Sequence, residues 1–85
     1  MSLSEEIKNT ILSNIPDATV YIDDPDGEHF SAYVISESFV GLPLIKQHKL
    51  VMQPLKEAFA TTVHALGLKT FTPEKWEKAK AQYEG

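Results

Sequence analysis

Ile7, Ile11, Leu12 and Ile15 recur at the spacing of one helix face. Ser2 or Ser4 can cap that helix, Glu5 and Glu6 suit its positive first turn, and Pro16 stops it, which predicts a helix over 4–14. The rhythm then changes. Residues 18–23 alternate and are rich in β-branched and aromatic side chains, the pattern of a strand. Asp24-Pro25-Asp26-Gly27-Glu28 is a turn, with proline presetting φ and glycine permitting φ > 0. A second strand is expected from His29 to about Ser36, with Phe30, Ala32 and Val34 on one face. The two strands predict an antiparallel hairpin.

Phe39-Val40-Gly41-Leu42-Pro43 breaks the second strand, and Pro43 fits the first position of a helix. Leu44, His48, Val51, Met52, Leu55, Ala58, Phe59 and Thr62 keep a 3.6-residue rhythm, but Pro54 interrupts the hydrogen-bond ladder. Two helical pieces or one kinked helix are expected, with the break between Gln47 and Pro54. Ala65 to Phe71 reads as a third strand, Leu66 and Leu68 facing inward. Thr72-Pro73-Glu74 is a helix start, and Trp76, Ala79 and Tyr83 line one side of the helix that follows. The order is αββααβα. The long return after the hairpin lets the third strand pair in parallel. The fold class is α+β: a three-stranded mixed sheet with helices packed on it.

Eighty-five residues make one domain over 1–85, and a hydrophobic share of 42% suits a globular core. Net charge is −4 and every basic residue is a lysine. Without arginine the bidentate fork for phosphate and guanine is missing. Without cysteine there is no disulfide, thiolate nucleophile or self-contained iron–sulfur site. No apolar run approaches a membrane span, and Met1-Ser2-Leu3-Ser4-Glu5-Glu6 lacks the pattern of a signal peptide, so a cytoplasmic protein is expected. No nucleophile elbow or phosphate loop is present, and no enzyme is expected.

The run Val34 to Val51 resembles the signature of the BolA-like family (BolA/IbaG type): a strand, F-x-G at Phe39-Val40-Gly41, then a basic R-H-R-L-V helix start matched by Gln47-His48-Lys49-Leu50-Val51. Val63-His64-Ala65-Leu66 and Thr72-Pro73-Glu74-Lys75-Trp76 resemble its C-terminal half, H-A-L and T-P-x-x-W. Gly27-Glu28-His29-Phe30 is similar to the branch with a histidine before its second strand. Gln47 and Lys49 depart from the usual arginines. The resemblance implies a fold like class II KH domains, although Gly41-Leu42-Pro43-Leu44 lacks the G-x-x-G clamp for nucleic acid. It also implies a binding module that pairs with a monothiol glutaredoxin and shares a [2Fe–2S] cluster. The glutaredoxin and glutathione would supply thiolates, and the histidines matching His64 and, second, His29 would supply nitrogen. The implied setting is iron–sulfur maturation and trafficking or iron regulation, with transcriptional control in some bacterial members.

The residues leave alternatives open. His64 is either such a ligand or a strand-edge histidine bonded to backbone. Alternation puts His64 in phase with Leu66 and Leu68, and His29 in phase with Ser31 and Tyr33, on opposite faces of flat strands. His48, on the apolar stripe, reads as a packed, hydrogen-bonded core histidine. Asp23, Asp24, Asp26 and Glu28 read as a solvated acidic turn, lacking calcium-loop spacing. Lys46, Lys49 and Lys56 could meet an acidic partner surface or glutathione carboxylates. The other reading of function is a DNA-binding regulator using Pro43 to Ala60.

Overall fold

Helix α1 spans Leu3–Asn14 and buries Ile7 and Ile11, one turn apart, with Ile15 continuing the stripe just past its end. The Ile15 N–H still reaches the Ile11 carbonyl at 2.8 Å, and the Ala18 N–H then turns back to the Ile15 carbonyl at 3.0 Å around Pro16. The computed structural model describes residues 3–23, 30–58 and 66–84. The expected turn at 24–28, His29, and the stretch 59–65 with Phe59, Thr62 and His64 lie outside the described residues, as does the side chain of Tyr83.

The hairpin forms as its alternation requires. β1 (Thr19–Asp23) pairs antiparallel with β2 (Phe30–Ile35), Tyr21 opposite Tyr33 and Val20 opposite Val34. β3 (Leu66–Phe71) pairs in parallel with the other side of β2, so the sheet order is β1-β2-β3. Phe30, Ala32 and Val34 are buried on one face. They join Ile7, Ile11, Ile15, Val20, Phe39, Val51 and Leu55 around one core between the sheet and helices α1 and α2 (Leu44–Ala58). Leu66 and Leu68 pack against the same cluster, as expected.

The opposite face carries Tyr21, Tyr33 and Phe71. Helix α3 (Pro73–Glu84) lays Trp76 over them, with ring centroids 5.5, 6.4 and 5.1 Å away. Its start follows the sequence signal. The Lys75 N–H donates to Thr72 Oγ1 at 3.3 Å and the Trp76 N–H to the Thr72 carbonyl at 2.9 Å.

Four details refine the expectation. Of the two forms expected for the middle stretch, a single helix is found, and it runs through Pro54. The proline removes the donor for the Leu50 carbonyl, but Leu50 lies at the exposed surface, where water can replace it, and Val51 and Leu55 bury completely on either side. Pro43 stands just outside α2 and accepts the N–H groups of Lys46 and Gln47 at 3.0 and 3.1 Å. Leu44 keeps the phase of the apolar stripe but lies in the first turn, beyond the core, and is 60% exposed. Residues 37–39 form a 3-10 turn that alternation does not register.

Candidate partner-binding site

The parallel ladder begins with Phe30 beside Leu66. His29 precedes Phe30 by one residue and His64 precedes Leu66 by two. Both histidines lie outside the described residues. The strands keep the expected phases: Leu66 and Leu68 turn toward the core, while Ser31 and Tyr33 belong to the face that holds Trp76. Among the described residues no group of three or more histidine, cysteine, aspartate or glutamate side chains converges for a metal ion.

Lys46, Lys49 and Lys56 are all exposed on α2, beside exposed Val40, Leu44, Ile45 and Leu50. Residues 38–73 carry Lys46, Lys49, Lys56 and Lys69 against Glu57 alone, a net charge of +3 inside a chain of −4. Charge is thus segregated: α2 and β3 are basic, and the remainder is strongly acidic. His48 is half buried at the edge of this surface, where it lines a groove of about 300 Å³ with Leu44, Leu68, Lys69, Thr70 and Phe71. Half buried and lining that groove, it is a groove wall rather than the packed core histidine expected from its phase.

The residue that fills the core role is its neighbour. Gln47 is 6% exposed. Its Nε2 donates to the Leu42 carbonyl at 2.8 Å and, at the limit of contact, to the Phe39 carbonyl at 3.5 Å. Its Oε1 accepts the Thr70 hydroxyl at 2.8 Å. One side chain thus ties the loop before α2 to the end of β3. Its signal in the sequence was only its place four residues before Val51 and eight before Leu55, a polar type on the buried stripe.

A second polar link fixes the 3-10 turn. Ser36 caps it, accepting the Ser38 N–H at 2.9 Å. Asp17, in the connection between α1 and β1, accepts the Ser36 hydroxyl at 2.8 Å and the Glu37 N–H at 3.1 Å on one oxygen, and the Ser38 hydroxyl at 3.1 Å on the other. The Ser36 hydroxyl above all holds the Asp17 carboxyl below its usual range; desolvation, second in size, acts in the opposite direction, and the Ser38 and Glu37 donors then add to the lowering. Gly41 follows with φ of +82°, a backbone that side chains with a Cβ rarely adopt, and this lets the chain turn into α2.

A family model described as BolA-like protein matches residues 3–75. The chain belongs to the BolA-like family. It is similar to the DNA-binding transcriptional regulator BolA of Vibrio cholerae, 35% identical over 78 residues that cover 89% of this chain and 73% of the relative. The acid stress protein IbaG of Escherichia coli is 29% identical over 76 residues, covering 88% of this chain and 89% of the relative. Among solved structures, a BolA homologue from Coxiella burnetii superposes with a TM-score of 0.74 at 33% identity, over 91% of this chain and 99% of that one. The BolA domain of SufE1 from Arabidopsis thaliana gives 0.73 at 25% identity, over 88% and 96%. BolA-like proteins thus share the three helices and three-stranded mixed sheet described here.

Proposed function

We propose that this BolA-like protein is a non-enzymatic partner-binding module that joins a monothiol glutaredoxin and shares a [2Fe–2S] cluster with it. His64 is the principal ligand and His29 the second. The observation that supports this reading is the side-by-side start of β2 and β3 at Phe30 and Leu66. Only one and two residues of backbone, about 3.8 Å each between Cα atoms, separate the two histidines from that pair. Neutral imidazole is a good iron ligand, and histidine in place of thiolate raises a cluster's potential and couples it to protons near neutral pH. With no cysteine in the chain, the thiolates come from the glutaredoxin and glutathione. The match of Val63-His64-Ala65-Leu66 to the family signature gives His64 the priority, and the opposite phases of positions 64 and 29 make His29 the weaker second. Lys46, Lys49 and Lys56 suit acidic partner groups, including glutathione carboxylates. The setting is cytoplasmic cluster maturation, trafficking or iron regulation. Anaerobic mixing with a monothiol glutaredoxin, glutathione, iron and sulfide is expected to yield a one-to-one coloured complex. Cluster formation only on glutaredoxin homodimers, with this chain left free, contradicts the reading.

The second reading is DNA binding through Pro43 to Ala60. It draws on relatives named as DNA-binding regulators and on the net positive charge of residues 38–73. The absence of arginine and the overall charge of −4 weigh against it. Duplex affinity measured across a salt series separates the two, because phosphate contacts must weaken steeply as salt rises.

A further inference from the structure

β3 hydrogen-bonds to β2 on one side only, and among the described residues no strand lies beyond it. An open strand edge presents unpaired N–H and C=O groups to any extended chain. The groove beside it is lined by Leu68 and Thr70, which turn to the core face, and also by Lys69 and Phe71, which turn to the other face. Residues of both phases can line one groove only if it runs along the strand's outer edge. Leu44 and His48 of α2 form the wall above, and Leu44 is 60% exposed there. No acid occurs in β3 or in residues 38–56, whereas the opposite edge strand β1 ends in Asp23 and leads into the acidic stretch Asp24 to Glu28. We propose that the outer edge of β3 takes up an extended acidic segment of a partner protein as a fourth strand, with one of its apolar side chains in the Leu44–His48 groove. Backbone pairing supplies affinity, the groove supplies register, and Lys49 and Lys69 select acidic side chains. This surface does not depend on the histidine ligands of the function proposed above, and its test leaves both histidines intact.

The probe is a capped hexapeptide alternating glutamate with valine or isoleucine, added to the isotopically labelled full chain. Amide shifts are expected along 66–71 and 44–49, with slowed hydrogen exchange on β3. Dissociation is expected at or below about 1 mM. Lys49→Glu with Lys69→Glu is expected to weaken binding about tenfold, the ratio that corresponds to about 1.4 kcal/mol. Leu44→Ser, at an exposed position that leaves the fold intact, removes the apolar anchor and weakens binding similarly. N-methylation of alternate peptide amides abolishes binding while leaving charge unchanged. Several results overturn the proposal: equal binding of a lysine-for-glutamate peptide, shifts centred on β1, or no shifts at all. So does a concentration-dependent dimer closing over the same residues, or a DNA duplex that shifts them more strongly than the peptide does.

Discussion

Gln47 shows how much one polar side chain can hold. Gln47→Leu keeps the volume but leaves the Thr70 hydroxyl and the Leu42 carbonyl without their partner. That change is expected to cost about 1–3 kcal/mol, read as a lower urea midpoint with an unchanged slope. The glutamine could not be singled out in the sequence, because a polar residue on an apolar stripe looks like a break in the pattern. Asp17 was equally silent, since its partners are Ser36, Glu37 and Ser38, about twenty positions on and brought near only by the hairpin. Its folded-state carboxyl titrates below the ordinary value of 3.8, so its contribution is fully present above that value. It fades as pH falls through the lower folded-state value. Asp17→Asn is therefore expected to lower the thermal midpoint at pH 7, with the gap to wild type closing in acid below about pH 4. A gap that stays constant through that range contradicts the assignment.

At the scale of elements, α2 is the informative case. Local propensity left two pieces or one kinked helix open around Pro54; packing of Val51 and Leu55 against the sheet keeps one helix. The cost remains in place. Pro54→Ala restores a donor for the Leu50 carbonyl and is expected to stabilise, by at most about 3 kcal/mol less the roughly 0.4–1 that proline contributes by stiffening the unfolded chain. Leu55→Ala empties a fully buried site and is expected to cost about 2–5 kcal/mol, a large share of the stability of so small a domain. The hairpin, the parallel third strand and the Thr72 start of α3 were all legible, because strict alternation and a capping threonine are local signals. The 3-10 turn at 37–39 was not, since its cap comes from Ser36 and its anchor from Asp17.

At the scale of the whole molecule, the sheet separates two surfaces. One side is the sealed core beneath α1 and α2; the other is the aromatic seam of Tyr21, Tyr33, Phe71 and Trp76 under α3. Charge is sorted between α2 with β3 and everything else, a sorting that net charge alone conceals. The lysines were visible as candidates in the sequence; the open edge beside them was not, because strand order is a tertiary fact. The BolA-like signature was legible because its two halves keep their order and spacing across the chain. The account depends most on residue 64. Pulsed electron paramagnetic resonance on the reduced complex of this chain with a monothiol glutaredoxin tests it most directly. Strong nitrogen coupling of ligating imidazole is predicted for wild type and predicted to lose the contribution of one ring in His64→Ala while the circular dichroism of the fold is retained. The same nitrogen coupling in both proteins would contradict it.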